Sequence, residues 1–182
     1  MPEFLDYLPG KDSALRGFLS SLSMGFGYDA YSTSSRFRND DQIVRNRASE
    51  LLAHARSQLR ERALQWKSLY LSCTPEHPVP SPERITQGKA MDQSIAQLEA
   101  LDTKIRSAAL PQDSAAWKMH RDSRAFLPQL LEADGLLLQS VSKLQSACSD
   151  PATPVSDFSA AVQEVESSWK HRQSVISGFF TI

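Results

Sequence analysis

The chain has 182 residues, which is enough for one domain with a sizeable core. The 20 Lys and Arg residues against 21 Asp and Glu give a formal charge of −1, and this balance argues against a nucleic-acid partner, which usually selects a basic excess. No apolar run approaches the roughly 18 residues that a membrane span needs. The first residues carry neither a basic nor an apolar leader segment. We therefore expect a cytoplasmic protein without a membrane span.

Residues 1–37 are predicted to form an aromatic-rich N-terminal arm that packs on the rest of the chain, across its first long helix. The arm holds four of the seven glycines, and Gly25 to Ser35 is typical of a loop. Asp12 is a candidate cap for one short helix within it. The apolar positions of this helix follow helical spacing: Leu15, Phe18, Leu19 and Leu22.

An amphipathic helix of about 30 residues is predicted from Asp40 to Ser72, where neither Pro nor Gly interrupts the apolar pattern. The proline-rich stretch from Cys73 to Pro82 ends it. Ser81 followed by Pro82 then predicts a new helix, with serine as the cap and proline at the first helical position. That helix stops before Pro111.

Two further helical segments are predicted. The first begins at Asp113 or Ser114, and Pro128 is expected to kink or split it. The break from Ser149 to Pro154 separates it from the last helix, which runs from a cap at Ser156 to about Gly178. No period-two alternation typical of strands persists anywhere. The predicted fold is all-α: an antiparallel up-down four-helix bundle with coiled-coil-like packing over residues 38–182, preceded by the arm in a single domain.

An antiparallel register brings the apolar positions of the last two helices together. It pairs Leu130 with Ile176, Leu137 with Trp169 and Val141 with Val165. The same register places Asp134 opposite Arg172, which predicts an ion pair inside the bundle.

The two earlier long helices can be matched in the same way. Their register pairs Trp66 with Gly88, where a missing side chain leaves room for the indole, and Arg62 with Asp92. Both charge pairs fall at a similar depth. The sequence therefore predicts a buried polar cluster of Arg62, Asp92, Asp134 and Arg172. Such a cluster either fixes register at a cost in stability or binds a small anionic ligand.

No residue pattern predicts catalysis, a metal or a cofactor. The histidines lack the spacing of metal ligands, and there is no Gly-rich phosphate loop and no nucleophile motif. Cys73 and Cys148 fall at the same end of the predicted bundle, where free thiols are expected. The sequence thus favours a protein that is not an enzyme.

The long helix from Asp40 carries a basic stripe. Residues 36–72 have a net charge of +4, and five cations lie within about 60° of one another on a helical projection. Either these side chains pair with acids of the neighbouring helix, or they track phosphate groups of a nucleic acid or another surface. The stripe comprises Arg38, Arg45, Arg56, Arg60 and Lys67.

Apolar residues also occur on a second side of this helix. Leu64 and Leu71 lie away from its main apolar face, and such a helix is either covered on both sides or exposes a contact surface. Tyr28 and Tyr31 in the arm are candidates for the same surface. The sequence-based hypothesis is a non-catalytic interaction or scaffold module whose partner is another protein or a second copy of the chain. The small-ligand and phosphate-binding readings remain its alternatives.

Overall fold

A computed structural model describes residues 13–31, 37–71, 79–109, 126–150 and 153–179. All regular structure in these ranges is α-helical, which confirms the all-α prediction for them. The helices are α1 (Ser13–Phe26), α2 (Phe37–Tyr70), α3 (Pro82–Ser107), α4 (Phe126–Ser149) and α5 (Val155–Phe179). Among them, none has both the length and the apolar character that crossing a bilayer would require.

The helix boundaries follow local capping chemistry. Ser81 has an extended backbone (φ −64°, ψ 148°), and its side chain accepts a hydrogen bond from the Arg84 amide, while Pro82 opens α3. The predicted cap is therefore confirmed. For α4, the candidate caps Asp113 and Ser114 lie outside the described residues. Pro128 falls in the first described turn of α4, and the residues before Phe126, on which its predicted kink depends, lie outside the described residues.

The neighbour relations among the long helices differ from those of a simple sequential arrangement. In the described ranges α4 packs against α2 and α5, and α3 packs against the same two helices. Helices α3 and α4 therefore lie across from each other. The chain between Ser107 and Phe126 is long enough for such a crossing, whereas a short turn would place α3 and α4 side by side.

Helix directions can be read from contacts at both ends of α2. Arg45 near its start reaches the Ile105 carbonyl at the end of α3 (3.4 Å), and Lys67 near its finish pairs with Asp92 early in α3. The two helices thus run in opposite directions. The Ser149 hydroxyl at the end of α4 donates to Gln58 Oε1 of α2 (2.9 Å), so the last turns of α4 lie beside the second half of α2.

One continuous apolar core joins the helices. The seam between α4 and α5 is buried at the three apolar pairs named from the register, Leu130 with Ile176, Leu137 with Trp169 and Val141 with Val165. Between α2 and α3, a Cβ added to Gly88 would lie 3.5 Å from the Trp66 ring, so the indole does occupy the space that glycine leaves. The buried seam residues are Leu130, Leu137, Val141, Val165, Trp169 and Ile176.

Helix α1 lies mainly on α4 and less extensively on α2. Its buried side of Leu15, Leu19 and Leu22 joins the core. A Cβ at Gly135 of α4 would come within 2.7 Å of Leu15 Cδ2, so glycine permits this close approach. The arm was expected to pack across the first long helix, and in the described residues its helix chiefly covers α4 instead.

The long helices end at different levels. Arg62 of α2 donates to the backbone carbonyls of Asp150 and Thr153, which join α4 to α5. Helix α2 continues from Arg62 to Tyr70, about 12 Å further. We call Trp66–Tyr70 of α2 together with Pro82–Gly88 of α3 the overhang.

Helix α3 extends beside α2 past the ends of α4 and α5. Lys104 of α3 and Glu166 of α5 pair at 3.1 Å, which fixes the relative level of these two helices. From this bridge towards their N-termini, α3 extends about 33 Å to Pro82 and α5 only about 17 Å to Val155. The overhang therefore extends beyond the ends of α4 and α5.

Candidate functional site

A buried polar network lies where α2 begins and α5 nears its end. Arg172 of α5 is fully buried, and its Nε lies 2.6 Å from Asp134 Oδ1 of α4. The predicted Asp134–Arg172 ion pair is thus present. On its other side, Arg172 Nη2 lies 2.8 Å from Asp41 Oδ1 of α2. A single guanidinium therefore joins three helices.

Two tyrosines of the arm complete the hydrogen bonding of the Asp134 carboxylate. The Tyr28 and Tyr31 hydroxyls both donate to Asp134 Oδ2, at 3.0 and 2.6 Å. The Tyr31 hydroxyl also accepts from Arg172 Nη2 at 3.1 Å. Both tyrosines are candidates for an exposed surface by sequence, but they are buried because their hydroxyls bind this carboxylate while their rings pack edge to face in the core.

Asp40 holds the loop that carries these tyrosines. Its Oδ2 accepts from the Tyr31 amide at 2.7 Å, and its Oδ1 accepts from the Asp29 amide at 3.3 Å. Ala30 and Tyr31 both have left-handed backbone, with φ of 50° and 59°. This conformation costs roughly 1–2 kcal/mol for a residue with a side chain. The bonds to Asp40 and Asp134 offset that cost.

Arg45 extends the network towards α3. Its Nε lies 2.6 Å from Asp41 Oδ2, so Asp41 bridges two buried arginines. Arg45 Nη1 donates to the carbonyls of Ile105 and Ala108 at the end of α3. The Arg45 and Arg172 guanidinium carbons lie 5.8 and 5.7 Å from the centre of the Trp169 ring. The network thus contains cations, carboxylates and an aromatic face at one level of the core.

Burial and the neighbouring charges change the proton affinity of these groups in opposite ways. Burial alone would lower the pKa of Arg172, but the carboxylates of Asp134 and Asp41 outweigh it, so that pKa lies well above its ordinary value. Burial raises the pKa of Asp134 despite the opposing charge of Arg172. Burial, reinforced by the Asp134 charge, raises the pKa of both Tyr28 and Tyr31 well above the usual value. These two hydroxyls are donors at any pH near neutrality.

The predicted four-residue cluster is only half assembled. Arg62 lies at the far end of α4, where it binds backbone carbonyls and stacks 5.1 Å from the Phe158 ring centre. Asp92 is exposed and pairs with Lys67 at 2.6 Å. The register correctly predicts the Asp134–Arg172 pair between α4 and α5. It wrongly places Arg62 and Asp92 beside this pair, because α2 extends past the ends of α4 and α5.

The members of the basic stripe lie in different environments. Arg45 is buried on Asp41, and Arg56 and Arg60 both lie against Glu99 of α3. Lys67 pairs with Asp92. Arg38 is exposed and has no acidic partner within the described part of the chain. Four of the five predicted stripe cations therefore pair with carboxylates.

Thiols and metal ligands add no further site to the described ranges. Cys148 is a buried free thiol, and burial raises its pKa to about 11. Its predicted neighbour Cys73 lies outside the described residues. No group of three or more His, Cys, Asp or Glu side chains that could hold a metal occurs in the ranges that the structure covers.

The second apolar side of α2 is partly exposed. Leu64 is 68% exposed, as predicted for a contact surface, whereas Leu71 is half-buried and its Cδ1 would lie 3.3 Å from a Cβ at Gly88. Larger apolar exposure occurs on the overhang, where Leu69 is 73% exposed. The Tyr70 ring stacks 5.3 Å from Trp66 and carries the Arg84 guanidinium 5.4 Å above it.

The exposed apolar residues at this end have one physical cause. Leu69 of α2 and Ile85 of α3 remain exposed because the described parts of α4 and α5 do not reach them. Val79, just before α3, is also exposed. A recess of about 280 Å³ lies at the base of the overhang, between α2 and the end of α4, and Glu61, Arg62 and Cys148 contribute to its lining.

Sequence reasoning missed Asp40 and Asp41 and misassigned Arg45. A signal for two of them exists, because residues 41, 45, 48, 52, 55 and 59 follow the spacing of a single helix face. Asp41 and Arg45 therefore continue the apolar face of Ala48 and Leu52 towards the start of α2. Charged residues on an apolar face predict burial with partners. The role of Asp40 depends on the loop conformation and has no comparable signal.

Comparisons with protein-family models, with curated proteins and with solved structures found no match for this chain.

Proposed function

We propose that this chain is a non-catalytic helical interaction module of the cytoplasm. In this proposal α2, α3, α4 and α5 form an antiparallel four-helix bundle over residues 38–182, and residues 1–37 are an arm fixed to it. The opposite directions of α2 and α3, together with the packing of α4 on α2, of α5 on α3 and of α4 on α5, support the bundle. The bundle serves as a rigid scaffold for a contact surface at one end.

The exposed apolar overhang is the observation that carries this proposal. Elsewhere in the described chain, the sides of α2 and α3 that face α4 and α5 are buried. On the overhang no described residue covers the equivalent side, which presents Leu69 and the Trp66–Tyr70 ring pair next to Arg84. Exposed apolar clusters rimmed by polar residues are typical of protein-contact surfaces, and aromatic and arginine side chains contribute most to such contacts.

The buried network fits a rigid scaffold better than it fits a ligand-binding site. The charges of Arg172, Asp134 and Asp41 face one another, and the tyrosine hydroxyls complete Asp134. Arg172 Nη1 and Arg45 Nη2 are buried without a hydrogen-bond partner in the described chain, but Asp41 and Asp134 already neutralise the two guanidinium charges, so a small anion would add an unbalanced negative charge. The phosphate-binding alternative needs exposed free cations, whereas the stripe cations on α2 pair mostly with acids of α3 and with Asp41.

Affinity purification of two tagged variants from the source cells tests the proposal. Leu69→Glu places a charge on the overhang, and Leu64→Glu is the matched control because it alters an equally exposed leucine about 140° away on α2. We expect a stoichiometric protein companion with the native chain and the control but not with Leu69→Glu. A stoichiometric small molecule or oligonucleotide that both variants retain contradicts the proposal.

A further inference from the structure

The overhang has the shape of half a helical bundle. Two antiparallel helices lie side by side, and no described residue occupies the positions beside them that α4 and α5 fill further along. Filling these positions takes two more antiparallel helices of the same length. The overhang of a second copy supplies such a pair, because its two helices have the same lengths as the two helices against which they would pack.

We propose that the overhang binds the overhang of a second copy of this chain, so that two molecules form a two-fold dimer. This inference rests on the proposed function and names its partner. A two-fold axis across the overhang turns the second copy end for end, and places its α2 and α3 where the first copy lacks α4 and α5. The contact is then isologous: the same surface meets itself, and the dimer closes without forming a filament.

The apolar contacts of this dimer follow from the helix faces. Leu69 lies on the side of α2 that faces α4 lower in the molecule, since it is seven residues, or two turns, from Arg62. In the dimer this side meets the α2 of the second copy, and each Leu69 lies near its equivalent across the axis. The Trp66 and Tyr70 rings point in nearly the same direction and contribute aromatic area.

Charge complementarity also favours a second copy as the partner. Lys67 of the overhang already pairs with Asp92, and Glu83 precedes Arg84, so the basic character comes from Arg84 and, just beyond the overhang, Lys89. Exposed Asp150 and Asp157 lie at the end of α4 and the start of α5, while the adjacent recess is lined by both Glu61 and Arg62. In the two-fold arrangement the tip of each α3 reaches the start of the other α5. Arg84 of one copy thus approaches Asp157 of the other.

The contact involves only a few turns of each helix, so it belongs to the small, concentration-dependent class of interfaces. Light scattering coupled to size exclusion should therefore show a mass that rises with loading, from the 20.3 kDa of one chain towards twice that value. The Leu69→Glu/Tyr70→Glu variant should weaken association at least about thirty-fold, which corresponds to loss of a hot-spot contact. Leu64→Glu should associate like the native chain.

A charge exchange tests the orientation of the two copies. Arg84→Glu should weaken the dimer about tenfold, and adding Asp157→Arg to the same chain should restore most of the loss, because the pair forms across the axis with its sign reversed. Circular dichroism melting checks that each variant is folded. Restoration by Asp157→Arg is a gain of association, which a misfolded variant would not show.

Several outcomes would overturn the dimer. One is a single 20.3 kDa species at every concentration, and another is a dimer unaffected by Leu69→Glu/Tyr70→Glu. If the chain is monomeric but loses a co-purifying protein in Leu69→Glu, the dimer fails while the proposed function stands. If it is monomeric and no companion depends on Leu69, both fail.

Discussion

The two ends of α2 are built in opposite ways. At its start, charged and hydroxyl groups are fully buried and bind one another, with Asp41 between Arg45 and Arg172. At its finish, large apolar groups such as Leu69 and Tyr70 are exposed on the overhang. Both ends reverse the usual distribution of polar groups outside and apolar groups inside.

The difference between the ends reflects how many elements meet there. At the start of α2, the arm, α4, α5 and the end of α3 all converge, so each buried guanidinium there meets a carboxylate, although Arg172 Nη1 and Arg45 Nη2 have no hydrogen-bond partner in the described chain. At its finish only α3 accompanies it among the described residues. Buried polar groups specify one arrangement of the helices, and exposed apolar groups leave one face available for a partner.

Replacing the central arginine of the network should have the largest effect. Arg172→Ala leaves Asp134 and Asp41 without the cation between them, and breaking a buried ion pair in this way costs about 3–5 kcal/mol. Urea unfolding followed by circular dichroism measures this loss in the free energy of unfolding.

Lys143→Ala is the matched control for Arg172→Ala. Lys143 pairs with Glu164 at 3.0 Å between the same two helices, but both side chains are about half exposed. Such a pair contributes about 0–1 kcal/mol. Equal losses for the two variants would show that burial adds nothing at the start of α2, and the contrast between the two ends would disappear.

Alkaline pH should weaken the network end selectively. The folded-state pKa of Tyr28 and Tyr31 lies well above that of an unfolded tyrosine, so their contribution is complete below pH about 10 and is lost as the pH rises beyond it. Two such groups lower the free energy of unfolding by about 2.7 kcal/mol per pH unit above that point. Urea unfolding between pH 9 and 11.5 measures the slope.

Two controls separate this alkaline effect from other titrations. Cys148→Ser removes the buried thiol, because its raised pKa of about 11 also lowers the free energy of unfolding as the pH rises. Tyrosinate absorbance reports how many of the four tyrosines titrate before unfolding. If Tyr28 and Tyr31 ionise near pH 10 in the folded chain, their hydroxyls are accessible and the buried network is disproved.

The two tyrosines should contribute unequally. Tyr31 donates to Asp134 and accepts from Arg172, whereas Tyr28 donates to Asp134 at a longer distance. Tyr31→Phe should therefore cost about 3 kcal/mol and Tyr28→Phe about 1.5 kcal/mol in unfolding free energy, the two ends of the range for hydrogen bonds to charged groups. The reverse order, measured by urea unfolding, would contradict this geometry.

Much of the fold could be predicted from the sequence, since apolar periodicity and proline punctuation depend only on local residues. The boundary at Ser81, the break at Ser149 to Pro154 and the Asp134–Arg172 pair all follow from such patterns. The neighbour order of the helices does not. It depends on the path between Ser107 and Phe126, for which periodicity contains no information.

The candidate site was less predictable because it depends on relative helix lengths. The register matching that pairs Asp134 with Arg172 places Arg62 and Asp92 beside them only if all four helices have equal lengths. The true offset sends Arg62 to the Asp150 carbonyl and leaves Leu69 exposed. Tyr28 and Tyr31 are buried for a related reason: a carboxylate distant in sequence binds them, and a local pattern cannot indicate that.

The smallest expected effect on monomer stability belongs to the overhang. Leu69→Glu alters a side chain that is 73% exposed, so the free energy of unfolding at low protein concentration should change by no more than about 0.5 kcal/mol. Leu59→Ala, on the same helix but fully buried, should lose about 2–5 kcal/mol. A loss with Leu69→Glu near that of Leu59→Ala would mean that part of the same chain covers the overhang. The apolar end of α2 would then belong to the core, and the proposed contact surface would have to be abandoned.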